Sequence, residues 1–307
     1  MRDRVPTVGV IASGAGPVER FKAGMLEYAF VEGRNVHFET RLFRGDSGKL
    51  AGFAQDLVDH AVDVIAVVGA VTARAALSST SVIPIVYAVV VDPVSDGLST
   101  SSGRPLPNMT GVTTFDRRQA QAQLNLLQSI RPDLTTIAYL ADAAVSDCLA
   151  NANLHAALEA GLRAIVLRIV GPDPDLDSVF AGLRRDGVQA IVALEQPAIG
   201  ANAREIAARA RRLNLPSVFA RDQAGTGGLF AYGTSLAAAA KVMARQVSQV
   251  LNGKAPADIP IESFCAPEFA LDTATASHLK LSIPSAALAN AMTHNHNRIE
   301  ASRTNVG

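Results

Sequence analysis

Small residues that can hold an anion follow the apolar runs in the first half of the sequence. Serine, threonine and glycine come directly after the runs 7–12 and 62–68, and the run 83–91 carries an alanine and a valine near its end. Backbone N–H groups at helix starts, together with hydroxyl groups, are common anion ligands. These positions therefore predict a site for a carboxylate. The candidate ligand-binding residues of this half are Ser13, Gly14, Gly69, Ala70, Thr72, Ala88 and Val89.

Acids and amides occupy the corresponding positions in the second half, after the runs 136–140, 190–194 and 217–220. A carboxylate pairs with a protonated amine, so these side chains predict that the ligand also carries an amine. Each has a structural interpretation too, because an Asp or Ser at such a place also caps a helix or forms a turn. Both interpretations stay open here. The candidates are Asp142, Ser146, Asp147, Glu195, Gln196 and Asp222.

The sequence carries no recognisable catalytic motif. A dinucleotide fingerprint would begin at Gly14 and Gly16, but Glu19 occupies the third glycine position, where its charge would repel a pyrophosphate. Phosphate-loop, nucleophile-elbow and zinc-protease patterns are missing from the sequence. The pair His294 and His296 is interpreted as part of a polar tail. We therefore expect no catalytic residue, no cofactor and no metal.

Charge and cysteine content narrow the class further. Lys and Arg total 28, as do Asp and Glu, and no basic run occurs, whereas nucleic acids are bound by clustered positive charge. We expect no nucleic-acid partner. Cys148 and Cys265 fit no metal or redox spacing, and a bridge between them would need an oxidising compartment. No apolar run reaches membrane-spanning length and no signal-type segment precedes the first strand; an export signal removed from the chain stays an open alternative.

Apolar runs alternate with helical patterns along most of the 307 residues. The runs are rich in Val and Ile without polar alternation, which is typical of strands buried on both faces of a parallel sheet. We predict an α/β fold with two Rossmann-like lobes, each built on a parallel sheet, and a hinge between them. Lobe 1 is expected to comprise 1–113 and 234–265, and lobe 2 to comprise 114–233. Residues 266–307 are expected to hold a third crossing, a closing helix and a tail, with their lobe left open.

Eight segments agree, in order and spacing, with one known family. They include FKAGMLEY at 21–28, Asp92-Pro93-Val94 and LNGKAPADIP at 251–260, and the others lie at 31–36, 62–65, 83–86, 108–112 and 227–233. On these segments the chain resembles the ABC-transporter substrate-binding family whose members include tryptophan- and phenylalanine-binding proteins. The resemblance extends over about residues 5 to 290.

The resemblance implies a type I periplasmic-binding fold with three crossing strands and hinge closure on a small-molecule ligand. It implies a periplasmic protein or a membrane-anchored lipoprotein whose partner is an ABC permease in the inner membrane, and we expect a monomer. Closure would be favoured only by ligand contacts made to both lobes.

Departures from the family pattern affect the expected ligand. Gly69-Ala70-Val71 stands where the family often has Gly-Thr-Pro, and Asp142 stands where the family often has an asparagine. The chain also has no tryptophan, which disfavours a large aromatic cage. We therefore expect an amino acid or a related small polar compound, without assigning tryptophan. The aromatic residues that stay candidates for ligand contact are Phe43, Tyr87, Phe115 and Phe219.

Two other classes remain as alternatives. A ligand-sensing module of a regulator has the same fold and would carry a DNA-binding segment ahead of residue 5. An α/β enzyme acting on a nucleotide or sugar would show a catalytic acid and base facing its cleft and would lack a mobile hinge.

Overall fold

The computed structural model describes residues 4–114 and 117–287, and these fold into two compact units. Unit 1 takes its described residues from Met1–Phe115, Ala144–Cys148 and Leu236–Cys265. Unit 2 takes its described residues from Asp116–Ala143, Leu149–Ser235 and Ala266–Gly307.

Unit 1 is a six-stranded parallel sheet with helices on both faces. Its strands are β1 (Thr7–Ala12), β2 (His37–Leu42), β3 (Val64–Val68), β4 (Ile85–Val90), β5 (Met109–Thr113) and β11 (Glu262–Ser263), and its helices are α1 (Ala15–Glu27), α2 (Leu50–Asp59), α3 (Ala70–Ser79) and α9 (Leu236–Leu251). The strand order across the sheet is β11-β5-β4-β3-β1-β2, and every neighbouring pair is parallel.

Unit 2 repeats this winding. Its strands are β6 (Thr136–Asp142), β7 (Arg163–Ile169), β8 (Ala190–Ala193), β9 (Ser217–Phe219), β10 (Phe230–Thr234) and β12 (Pro267–Leu271). Its helices are α4 (Arg117–Ile130), α5 (Cys148–Glu159, whose first residue groups with unit 1), α6 (Leu176–Ala181), α7 (Pro197–Ala201), α8 (Ala203–Arg212) and α10 (Thr273–His278). The strand order is β12-β10-β9-β8-β6-β7, and only the β10–β12 pair is antiparallel among the described strands.

Each sheet has one apolar core on each face, which explains why the strands show no polar alternation. In β1, Val8 and Val10 pack with α1 and α9 residues on one face, while Ile11 packs with Leu57 of α2 on the other. Helices α1 and α9 cross closely at Gly24, where an added Cβ would lie 2.9 Å from the Cβ of Ala244. Two-sided burial is the packing expected of parallel sheets, and the predicted α/β fold with two parallel-sheet lobes is confirmed.

One helix differs from its predicted extent. The pattern at 176–185 predicts a single helix, but α6 ends at Ala181 and the chain continues in turns. Gly182 follows as the C-cap, and glycine disfavours continuation because its backbone loses more conformational freedom in a helix than any other residue. The Asp175 side chain accepts a hydrogen bond from Ser178 N at the other end of this helix, as its position predicts.

Candidate ligand-binding site

The carboxyl ends of three adjacent strands bring the predicted residues of unit 1 to one sheet edge. Strands β1, β3 and β4 are neighbours and run in parallel, so their ends are level. The Gly69 N–H donates to the Ala88 carbonyl at 2.8 Å, which joins two of the predicted positions directly. Ser13 and Gly14 follow β1 at the same edge and are half-buried.

Helix α3 presents open backbone donors at this edge. It begins at Ala70 directly after Gly69, whose φ of +96° favours glycine, and no described side chain caps it. Among the hydrogen bonds of the described residues, none comes from the N–H groups of Ala70, Val71 or Thr72. The first turn of a helix carries partial positive charge, so these groups form an anion-accepting surface. Helix α1 also begins without a side-chain cap, after Gly14.

The Thr72 hydroxyl serves the helix itself. It is fully buried and lies 2.8 Å from the Val68 carbonyl and 2.7 Å from the Gly69 carbonyl, to which it donates. These hydrogen bonds stabilise the start of α3, which is a structural role. Any contribution of Thr72 to a ligand therefore comes from its backbone N–H.

The end of β4 is distorted. Val89 has a φ of +60°, and the pairing register between β4 and β5 shifts between Ala88 and Val90. A β-branched residue rarely adopts this backbone conformation, and such strained positions are concentrated at functional sites. The bulge also leaves Val89 partly exposed between two buried neighbours.

Asp92 forms a turn. Its carboxylate accepts hydrogen bonds from the backbone N–H groups of Val94 and Ser95 and from the Ser95 hydroxyl. The Ser95 hydrogen bonds hold the pKa of Asp92 below its ordinary value. The family-like segment that starts at Asp92 is thus a tight turn that closes the loop after β4.

In unit 2, Asp142 ties the end of β6 to helix α7. The side chain is 3% exposed, and its Oδ2 accepts the Ala198 N–H at 2.8 Å in the first turn of α7. The Asp142 N–H donates to Gln196 Oε1 at 2.7 Å. Asp142 therefore caps the start of α7, which is one of its two sequence interpretations. The buried Gln196 side chain accepts the Asp142 N–H at the same place. A carboxylate thus accepts an N–H group in the first turn of α7, whereas no described side chain caps the first turn of α3.

Glu195 and Asp222 place two carboxyl groups at this edge, after β8 and β9. The Glu195 side chain is half-buried and makes no hydrogen bond or ion pair with any other described residue. Burial, and to a smaller extent the neighbouring Asp222 carboxylate, raise the pKa of Glu195 to about 8. A carboxyl group desolvated without a partner is costly, and such groups are concentrated at binding and catalytic sites.

Sequence reasoning missed Arg221, which precedes Asp222. The side chain is 6% exposed and its Nε donates to Glu268 Oε2 of β12 at 2.9 Å. This ion pair fixes the short turn that carries Asp222 to the antiparallel edge strand. The available signal was an arginine at the end of the apolar run 217–220, because arginine is rarely buried without a partner.

The remaining predicted residues lie elsewhere. Ser146 and Asp147 group with unit 1, within Ala144–Cys148, rather than with the sheet edge of unit 2. Three of the aromatic candidates, Phe43, Tyr87 and Phe219, are at most 1% exposed and pack within the apolar cores. The fourth, Phe115, lies outside the described residues, as do His294 and His296 of the tail.

Over the described part of the chain, no cluster of three or more His, Cys, Asp or Glu side chains is arranged to bind a metal ion. None of the helices described is both long and apolar enough to cross a bilayer. Cys148 and Cys265 are both unbridged.

The sequence matches a family model described as "ABC transporter substrate binding protein" over residues 15–295. The chain belongs to this family. The resemblance seen in the sequence is thus confirmed, and the members of the family are substrate receptors of ABC transporters. A comparison with curated protein sequences gave no match.

Solved structures show the same fold at low identity. A conserved domain protein from Vibrio cholerae superposes with a TM-score of 0.86 at 22% identity, covering 94% of this chain and 99% of that one. An ABC domain from Streptococcus pneumoniae in complex with L-Trp gives a TM-score of 0.84 at 21% identity, with the same coverage. A leucine-binding protein from Thermotoga maritima gives 0.59 at 15% identity, covering 81% and 83%. Together they support a type I periplasmic-binding fold.

Proposed function

We propose that this substrate-binding protein receives an amino acid, or a closely related small compound with one carboxylate and one amine, and passes it to an ABC permease. The observation that carries the proposal is the pair of sheet edges with opposite chemistry. Unit 1 offers open N–H groups at α3, and unit 2 offers the carboxyl groups of Glu195 and Asp222. A carboxylate complements the first surface and an amine complements the second, and an amino acid carries both groups.

The carboxylate of the ligand would accept hydrogen bonds from the N–H groups of Ala70, Val71 and Thr72. These donors have no partner among the described residues, and fixed backbone dipoles need no rearrangement to accept an anion. Lys and Arg side chains are not needed for this role, because the helix end itself supplies the positive potential.

The amine of the ligand would pair with Glu195 and Asp222. A cation beside Glu195 favours its charged form and therefore lowers its pKa on binding. Because the pKa of Glu195 is about 8, this carboxyl group is mostly protonated at pH 7, and binding of the amine is expected to release its proton. Neutral sugars and purines carry no positive charge to pair with the Glu195 carboxylate.

The family and the neighbouring structures support the amino-acid class without establishing it. Two of the similar structures are described as an L-Trp complex and a leucine-binding protein. We propose that this chain acts outside the cytoplasm, as its family typically does, and without catalysing a reaction.

The test is thermal unfolding of the purified chain against a panel of amino acids, purines, sugars and aromatic acids. A ligand present at a hundredfold excess over its dissociation constant adds about 2.7 kcal/mol of stability to the folded state. A rise in the midpoint with amino acids, with the compound recovered unchanged, is the expected result. A rise with sugars or purines alone, or conversion of the compound, would contradict the proposal.

A further inference from the structure

Helix α8 carries four arginines, and they cluster on its solvent side. Ala203, Ile206, Ala207 and Ala210 form its buried face. Arg211 and Arg212 lie seven and eight residues after Arg204, which places all three along one side of the helix. Arg204 and Arg212 are exposed, and Arg211 is half-buried. The charged groups are thus gathered in one place although the chain as a whole is neutral.

Only the fourth arginine is neutralised by acids. Arg209 donates to Glu205 on the same helix and to Asp177 at 3.0 Å. Among the described residues, no carboxylate lies within ion-pair distance of Arg204, Arg211 or Arg212. The two nearby acids are therefore already occupied, and three guanidinium groups remain available to an external anion.

These groups line a groove of about 690 Å³ between α8 and α10, which we call the arginine groove. Helix α10 contributes Ala274 and His278 to its lining. The lining residues are Arg204, Glu205, Ala208, Arg209, Arg211, Arg212, Ala274 and His278.

Arg211 is held in position by the loop before β10. An added Cβ on Gly227 would lie 3.1 Å from the guanidinium carbon of Arg211, so the glycine provides the space that this side chain occupies. The Thr275 hydroxyl donates to the Gly227 carbonyl at 3.1 Å, which ties the loop to α10. The loop before β10 therefore contacts both Arg211 of α8 and Thr275 of α10.

We propose that the arginine groove binds a phosphate-bearing anion, at a site separate from that of the transported solute. Guanidinium groups match phosphate oxygens with paired hydrogen bonds, and several of them in one groove favour a multiply charged group over a single carboxylate. Such a phosphate comes either from a soluble compound or from the headgroup of an anionic phospholipid. The chemistry of recognition is the same for both sources.

The test is calorimetric titration of the full chain with inorganic pyrophosphate at low ionic strength. The site variant is the double substitution Arg204→Gln with Arg212→Gln, at two exposed positions. The matched control is Arg34→Gln with Arg104→Gln, because both are exposed arginines of unit 1 with no acidic partner among the described residues. Both variants lose the same charge. Cosedimentation with phosphatidylglycerol vesicles and with phosphatidylcholine vesicles forms the second arm.

The expected result is that pyrophosphate binds to wild type and to the control, and that the site variant binds at least about tenfold more weakly, since each charge-assisted hydrogen bond contributes at least that factor. Cosedimentation with phosphatidylglycerol alone, lost in the same variant, would assign the phosphate to a lipid headgroup; no cosedimentation would assign it to a soluble compound. Absence of pyrophosphate binding, or equal weakening in the control, would overturn the proposal. Amino-acid binding is measured in parallel and is expected to be unchanged in both variants.

Discussion

Units 1 and 2 wind their strands in the same order, yet the carboxyl edges of their sheets have opposite chemistry. In unit 1 the helix that follows the third strand, α3, begins with uncapped N–H groups. In unit 2 the equivalent helix, α7, begins with its Ala198 N–H bound to the Asp142 carboxylate. Acids are then concentrated at the edge of unit 2, where Glu195 and Asp222 follow β8 and β9.

The difference shows that one topology can be specialised by a few loop residues. Both edges have parallel strands whose ends meet helix starts, and such edges attract anions by default because of the helix dipole. Unit 1 keeps that property. In unit 2 the Asp142 carboxylate accepts the Ala198 N–H, and further carboxyl groups lie at the same edge, so we propose that this edge favours a cation.

The largest expected effect is on binding at the edge of unit 2. Replacing Asp222→Asn removes a carboxylate that we propose pairs with the amine of the ligand, and loss of one partner of a desolvated ion pair costs about 2–5 kcal/mol, or roughly 30-fold to several thousandfold in affinity. Calorimetric titration measures the change. The control, Glu159→Gln, removes an exposed acid of unit 2 whose ion-pair partner among the described residues is His155, and we expect it to bind like wild type. If the two variants bind the ligand with equal affinity, Asp222 does not pair with its amine.

The cap of α7 is expected to matter for stability. Replacing Asp142→Ala leaves the buried Ala198 N–H without its acceptor, at a cost of about 1–3 kcal/mol in the free energy of unfolding, while the backbone N–H of residue 142 keeps its bond to Gln196. The matched change Asp175→Ala removes the exposed cap of α6, and we expect a smaller loss. Urea denaturation of both variants measures the difference. Similar losses would mean that the buried cap of α7 by Asp142 contributes no more stability than the exposed cap of α6 by Asp175.

The pH dependence of stability tests the Glu195 environment. Its pKa in the folded protein is about 8, against an ordinary value of 4.5. Because the folded-state pKa is raised, the stabilisation is fully present below pH 4.5 and is lost as the pH rises toward about 8. After allowance for partial solvent screening, we expect a loss of about 2 kcal/mol across this window.

The variant Glu195→Gln isolates that contribution, because it cannot ionise while keeping nearly the same shape. Urea denaturation at intervals from pH 5 to pH 8.5 is expected to give a flatter profile for the variant than for wild type. Parallel profiles would show that Glu195 does not titrate in this range.

The smallest expected effect concerns the open start of α3. Replacing Ala70→Pro removes one N–H group at the first helical position, where proline is well tolerated, and should weaken carboxylate binding by about tenfold without lowering stability. Thr273→Pro makes the same change at the first position of α10, away from the ligand-binding edge, and should leave binding unchanged. A loss of binding in both variants, or in neither, would contradict the role given to α3.

The sequence predicts the fold well because its signals are local. Runs such as 62–68 and 190–194 have the apolar composition of strands buried on two faces, and the observed strands β3 and β8 lie within them. Helix ends were harder to place: the α6 pattern continues beyond Ala181, although Gly182 follows.

Site residues are only partly predictable, because their roles depend on partners distant in sequence. Asp142 was named as a candidate ligand contact or a cap, and the choice depends on Ala198 and Gln196, which are more than 50 residues away. The unpartnered state of Glu195 and the ion pair of Arg221 with Glu268 are equally invisible in one dimension. Phe43, Tyr87 and Phe219 are buried in the cores, which the sequence could not show, since position alone does not distinguish a ligand contact from a core residue.

The most direct measurement compares one amino acid that binds with two relatives, the amine that lacks its carboxylate and the acid that lacks its amine, by calorimetric titration at pH 7. The account predicts that each relative binds at least about a hundredfold more weakly, because each leaves the polar groups of one edge without a partner. It also predicts proton release on binding of the amino acid, seen as a dependence of the heat on the ionisation enthalpy of the buffer. If either relative binds as tightly as the amino acid, the proposed assignment of the carboxylate to the start of α3 and of the amine to Glu195 and Asp222 is wrong.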